Sequence, residues 1–323
     1  MLVPVLLFIL GFILLIKGGD WFVDGASGLA HRFHLPELLI GATVVSIGTT
    51  LPEVMVSAQA ALQHNSGISY GNAIGSVICN TSLIAALTIA IRPGKVNPKT
   101  LRVPVAGFFG AAILYALIAY TTGQFQRWQG ILFLCLFAAY MAVTVAQMKK
   151  NPESVEVEET EEPAKEHALW QDLLALVAGA VAIAFGANLL VENGTKIAAA
   201  LGVPDSVIGL TMVALGTSLP ELVTAITALA KGHSALSLGN IIGANLFNIV
   251  LVSGTAITIS PFAIPVEKTI GGMNASLVVD IPVMLGVMAV LCLPALLKGK
   301  LSRWQGVLLL TVYVAFTAFQ FFI

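Results

Sequence analysis

Apolar runs long enough to cross a bilayer recur from one end of this 323-residue sequence to the other, and they leave little room for any other architecture. A spanning helix needs about 20 predominantly apolar residues, and in hydrocarbon it must satisfy its own backbone polar groups. Ten such runs are read, at residues 2–30, 36–62, 70–91, 103–122, 128–147, 169–200, 206–230, 236–259, 274–297 and 304–322. A chain that is 57% hydrophobic and 10% charged, with mean hydropathy +0.92, lies far from the composition of soluble domains. The first run lacks a basic leader and a cleavage pattern, so it is expected to stay in the mature protein.

The placement of charge sets the expected orientation. Of 16 Lys and Arg, twelve fall in the loops after odd-numbered runs, whereas the even-numbered loops hold only Arg127 and Lys268. The positive-inside rule then makes the odd loops cytoplasmic and places both termini outside a plasma membrane. Cys79, Cys135 and Cys292 lie within apolar runs and are expected to pack as small hydrophobes. No zinc-type cluster, Walker loop or nucleophile elbow is present, and no basic patch suits nucleic acid.

Residues 20–80 align with residues 188–248 without a gap. Pro36 answers Pro204, Gly48-Thr49 answers Gly216-Thr217, and Leu51-Pro52-Glu53 answers Leu219-Pro220-Glu221. "GNAIGSVICN" at 71–80 answers "GNIIGANLFN" at 239–248, and "RWQG" opens both the fifth and the tenth run, at 127 and 303. Five spans per copy is an odd number, so the second copy must enter the membrane from the opposite side. The expected fold is therefore an all-α membrane protein of ten helices in two inverted five-helix repeats, with broken helices at a midplane site. Residues 1–148 form the first repeat, 149–168 an acidic linker and 169–323 the second repeat. The linker holds seven glutamates and two prolines without apolar periodicity, and reads as disordered and cytoplasmic.

The repeated Pro-Glu pair carries the chemistry. Pro52 offers no N–H and crowds the carbonyl of Gly48, so a bend or break is expected there, with backbone oxygens released around Gly48 and Thr49. The hydroxyls of Thr49 and Thr50 add oxygens beside Glu53, and Thr217 and Ser218 repeat them beside Glu221. An intramembrane carboxylate costs roughly 2.5 kcal/mol or more without a partner, and neither Lys17 nor Lys196 is a compelling one. Two such carboxylates meeting at a pseudo-twofold axis suggest a site whose counter-ion is the substrate. Its ligands are hard oxygens, which suit calcium, sodium or protons, and the amides of Asn80 and Asn248 extend the set. Asp20, Asp24, Glu192 and Asp280 read as access-path or interfacial groups, or as satisfied packing residues.

With "GTTLPE" and "GN..GS...N" answered by "GTSLPE" and "GN..GA...N", the sequence resembles the sodium/calcium exchanger family of the cation/calcium exchanger superfamily. The resemblance covers essentially the whole chain. It implies an antiporter, not an enzyme, that exchanges calcium for sodium by alternating access and carries no cofactor beyond the transported ions. It implies that Glu53 and Glu221 are shared by both ions, that backbone oxygens of Thr49 and Thr217 complete the calcium site, and that Asn80 and Asn248 take the symmetry-related amide positions. It further implies sodium ligands at Ser46, Thr50 and Ser76 on the cytoplasmic side, and at Ala214 (by its carbonyl), Thr217 and Ser218 on the outer side. Asn248 stands where some microbial members carry Asp, and Ala244 replaces the serine retained at Ser76, which bears on the outer sodium site. Exchange of calcium or sodium for protons is the alternative transport reading. An intramembrane hydrolase with a Glu53–Glu221 acid–base dyad is disfavoured, since no peptide or lipid recognition motif accompanies the carboxylates.

Overall fold

The computed structural model describes residues 2–150, 168–201, 216–266 and 269–322. Within them the chain forms α1 (Leu2–Arg32), α2 (Glu37–Leu62), α3 (Ser66–Ile91), α4 (Pro98–Thr122), α5 (Arg127–Lys150), α6 (Leu169–Ala200), α7 (Leu219–Ala230), α8 (Ser234–Ile259), α9 (Ser276–Lys298) and α10 (Arg303–Phe322). Eight of these, all but α7 and α10, are long and apolar enough to cross a membrane by length and composition. The expected seventh run begins at 206, but 202–215 lie outside the described residues, and so do 151–167 of the acidic linker. The strands are confined to loops: Gln124–Phe125 pairs antiparallel with Phe262–Ala263, and Thr269–Ile270 with Met273–Asn274.

Local chemistry sets the helix ends. Asn65 accepts from the backbone N–H of Ile68 at the start of α3, and Asn97 from that of Lys99 at the start of α4. Gly123 and Gly299 end α4 and α9 in the left-handed region, at φ 64° and 61°. α1 and α6 contain 31 and 32 residues. At 1.5 Å per residue each is about 47 Å long, well beyond the ~30 Å of a hydrocarbon core.

Buried side chains form two bodies. The larger core draws on α3, α4, α5, α8 and α9, with Phe108, Tyr115, Phe133, Phe247 and Met288 near full burial. The smaller is built around α1 and α6, with Phe22, Val23, Ala26 and Ile183 at its centre. α1 and α6 touch through glycines: a Cβ on Gly18 would sit 2.9 Å from the backbone nitrogen of Ile183, and one on Gly25 2.5 Å from that of Leu176. This is small-residue packing, the substitute for hydrophobic association where lipid is as apolar as leucine.

The repeated RWQG segments tie distant parts of the chain together. The Arg127 guanidinium donates to the carbonyl of Ile259 at the end of α8, and that of Arg303 to the carbonyls of Ala90 and Ile91 at the end of α3. Each arginine thus satisfies the C-terminal carbonyls of a helix in the other half of the sequence. Trp128 and Trp304 stand exposed. A Cβ on Gly130 would lie 2.6 Å from the nitrogen of Thr258, and one on Gly306 2.7 Å from that of Ala90. Thr258 and Ala90 occupy equivalent positions of the two repeats, so the motif is a duplicated docking device.

One end of the bundle is fastened by charge. Arg32 of α1 bonds Asp172 of α6 at 3.2 Å, Lys231 bonds Asp24 of α1 at 2.7 Å with Asp20 at 3.5 Å, and His233 bonds Glu37 of α2 at 2.7 Å. Burial works against a charged imidazole at His233, but the hydrogen bond and charge of Glu37, with Asp24 nearby, outweigh it and hold its pKa above the ordinary value.

Two outcomes are expected. Gly306→Val forces a side chain into backbone atoms that cannot yield, which costs about 1–3 kcal/mol. Gly110→Val, where a Cβ meets nothing within 4 Å among the described residues, is the neutral control, both read as thermal midpoints in detergent. Because the folded pKa of His233 is raised, its stabilisation is fully present below about pH 6.5 and is lost as pH rises through the folded value. Glu37→Gln is expected to flatten that part of the stability–pH curve.

Candidate cation site

The carboxylates of Glu53 and Glu221 are fully buried, at 0% exposure, and among the described residues none of their four oxygens has a hydrogen-bond partner, although the Thr49 hydroxyl lies close enough to act on Glu221. They are near enough for the charge of Glu221 to act on Glu53. No ion pair among the described residues involves either of them. Burying a carboxylate unpaired is among the most expensive things a fold can do, and here it is done twice in one place.

The local backbone differs from the sequence expectation. α2 runs without a break through Pro52. Its irregularity lies earlier, in a π-helical segment at Gly41–Val45. The missing N–H of Pro52 still deprives the Gly48 carbonyl of its helical partner, while the helix continues to Leu62. In the second half the chain does leave the helix: Thr217 and Ser218 form a turn, and α7 begins at Leu219 with Glu221 in its first turn. Further π segments fall at Asn80–Ala85 and Asn248–Val252, at matching positions of the two repeats, and a fourth at Ser276–Asp280. Such segments re-aim side chains and free carbonyls, and they collect at functional sites.

The expected ligand residues are placed as follows. Thr50 is buried with its hydroxyl unpartnered, and both amide atoms of Asn80 are likewise unpartnered at 0% exposure. Asn248 donates from Nδ2 to the carbonyl of Ala244 at 3.0 Å, which leaves Oδ1 free and fixes the amide orientation. Ser218 is buried with a free hydroxyl, and Ser76 is buried. The Thr49 hydroxyl is already used, donating to Oδ1 of Asn240 at 3.1 Å. Ser46 donates to the carbonyls of Gly41 at 2.7 Å and Asn240 at 3.0 Å, so it reaches a cation only through a lone pair. Thr217 lies half-buried in the turn, and Ala214 is outside the described residues. Asp20 and Asp24 pair with Lys231, Glu192 pairs with Lys196 at 2.7 Å, and Asp280 accepts from Gln320 at 2.9 Å. Each of the four thus has a partner in the structure.

Several residues in the centre were not singled out from sequence. Thr224, one turn from Glu221, is buried with an unpartnered hydroxyl. Asn72 donates from Nδ2 to the Glu53 carbonyl at 3.0 Å and to the Ser57 hydroxyl at 2.8 Å. Asn245 donates to Thr81 at 2.8 Å while its Oδ1 has no partner. The signal for the Asn72 and Asn240 pair was present, since both stand in the repeated "GN" of the second motif. What the assembly offers is two carboxylates ringed by neutral amide and hydroxyl oxygens. No group of three or more His, Cys, Asp or Glu residues suited to a metal occurs among the described residues. The set suits hard cations.

Comparisons with known proteins agree with that chemistry. The family model described as sodium/calcium exchanger protein matches residues 3–146 and 172–322. An uncharacterized membrane protein of Methanocaldococcus jannaschii, MJ0091, is 37% identical over 95% of this chain and 94% of its own length. The sodium/calcium exchanger MaX1 of Methanosarcina acetivorans is 31% identical over 98% of both chains. Among solved structures, the sodium-calcium exchanger NCX_Mj soaked with sodium and calcium superposes with a TM-score of 0.81 at 34% identity, covering 98% of each chain.

The unpaired carboxylates make a stability prediction. In chelator and with only bulky organic cations present, Glu221→Gln removes a buried carboxyl group that has no ionic partner among the described residues, and is expected to raise the thermal midpoint. A lower midpoint would show that the carboxylate has a partner within the protein.

Proposed function

The chain belongs to the sodium/calcium exchanger family, and from that premise we propose that it exchanges calcium for sodium across the plasma membrane by alternating access to the Glu53–Glu221 site. The observation that carries the reading is the pair of fully buried carboxylates whose four oxygens have no hydrogen-bond partner among the described residues. A calcium ion takes about six to eight oxygens with negative charge among them. Two glutamates supply the charge, and Thr49, Thr217, Asn80 and Asn248 supply neutral oxygens. Sodium, with a lower charge, shares the glutamates and draws on Thr50, Ser46 and Ser76 on one side and on Ser218, Thr217 and Ala214 on the other.

Sharing makes the transport an exchange. Ions that use the same oxygens displace one another, and the empty site holds two carboxyl groups away from water, which cannot both stay ionised there without a cation. Moving that site between the two faces ionised and unloaded costs several kcal/mol per charge. Only the loaded site moves readily, so release of one ion on a face awaits capture of the other.

In this reading the ten helices form two inverted five-helix repeats, 1–148 and 169–323, joined by the 149–168 linker on the cytoplasmic side, with both termini outside. The face closed by Arg32, Lys231 and His233 is then cytoplasmic, in keeping with the basic loops. Transport needs no cofactor and makes or breaks no covalent bond.

Purified protein in liposomes tests the reading. An outward sodium gradient is expected to drive calcium uptake, and Glu53→Gln or Glu221→Gln to reduce it to the level of empty liposomes. Uptake driven by a pH gradient and indifferent to sodium would assign the site to proton exchange instead.

A further inference from the structure

Asn72 and Asn240 occupy equivalent positions of the two repeats, yet they are used in opposite ways. Asn72 stays within its own repeat, bonding the Glu53 carbonyl at 3.0 Å and the Ser57 hydroxyl at 2.8 Å. Asn240 crosses to the other repeat: its Oδ1 accepts from Thr49 and its own carbonyl accepts from Ser46, while its Nδ2, fully buried, has no partner. By sequence register, the counterpart of the carbonyl that Asn72 uses is that of Glu221.

Two repeats of like sequence in unlike conformations imply a second arrangement in which the conformations are exchanged. The geometry points to Asn72 and Asn240 as positioning residues that trade partners between the two access states. In the exchanged state Asn240 donates to the Glu221 carbonyl, and Asn72 releases Glu53 and accepts from Thr217, the equivalent of Thr49. The sequence is not neutral between the two. The equivalents of Ser57 and Ser46 are Ala225 and Ala214, which have no hydroxyl. The arrangement seen has the Asn72–Ser57 hydrogen bond, and a share at the Asn240 carbonyl of the one Ser46 hydroxyl proton that Gly41 also accepts, neither of which the exchanged one can form. Ser57, which touches neither carboxylate, thus sets a bias toward the state seen. This rests on the alternating-access reading above and adds to it the residues that set the balance.

Ser57→Ala removes a bond from the state seen, and Ala225→Ser offers Asn240 a hydroxyl in the exchanged one. Both are expected to move the balance in the same direction, by about twofold to tenfold each, the worth of one net hydrogen bond. Two measurements read it. In right-side-out and everted vesicles, the ratio of the calcium half-saturation values on the two faces shifts by that factor, because a face's apparent affinity follows the population open to it. In protein with Cys135 and Cys292 replaced by serine, the ratio of labelling rates of Cys79, which lies beside Ser218, by an impermeant thiol reagent from the two faces shifts likewise. The thiol ratio needs no transport, so a chain that fails to exchange calcium for sodium sinks the earlier reading while this one is still decided. Ratios unchanged in both variants, or moved in opposite directions by them, overturn the exchange of partners.

Discussion

The burial of two carboxyl groups sets the terms for the rest of the structure. Glu53 and Glu221 are fully buried, and among the described residues no basic side chain pairs with either. Desolvating one such group costs several kcal/mol, and no packing gain at the same spot returns it. The rest of the fold has to be stable enough to carry that cost when no cation is bound. The large core of α3, α4, α5, α8 and α9 and the cross-docked RWQG segments are where that stability resides.

The same requirement explains the backbone around the site. A regular helix uses all its carbonyls and aims its side chains at fixed 100° steps, which leaves little for an ion. The π segments at 41–45, 80–85 and 248–252 break that regularity without breaking the helices. The free carbonyl oxygens are taken up locally, as where Tyr140 donates to Ala42 at 3.0 Å and Ser253 to Asn248 at 3.0 Å. The second hydrophobic body, centred on α1 and α6, also takes in Ile40 and Val45 of α2, Ala228 of α7 and Leu236 of α8, with Val44, Leu219 and Val223 packed against it. It thus meets the helices of the site through apolar side chains as well as through ion pairs such as Lys231–Asp24.

Much of this was legible in the sequence because the strongest constraint, burial in lipid, writes itself as apolar runs. α1 to α6 and α8 to α10 fall within a few residues of the runs read for them, and the basic clusters lie where the charged fastenings Arg32, Lys231 and Arg303 are found. The Pro-Glu pair pointed to buried carboxylates for a physical reason, and both are buried. Of the bend or break expected at Pro52, the break is not found in the first repeat: α2 stays helical through the proline, whose local cost of about 3 kcal/mol the fold as a whole carries. Asn72 and Asn240 were hidden for a different reason. An asparagine in an apolar run states that it needs partners, but which repeat supplies them is decided by the conformation, and one sequence motif serves both answers.

Direct ion competition probes the centre of this account with the fewest intermediates. Equilibrium dialysis of radioactive calcium against the purified protein, at increasing sodium and constant ionic strength, reads whether the two cations share the glutamates. The account predicts calcium binding that sodium displaces fully and that Glu221→Gln abolishes. Calcium binding that persists at saturating sodium, or survives Glu221→Gln unchanged, would contradict it.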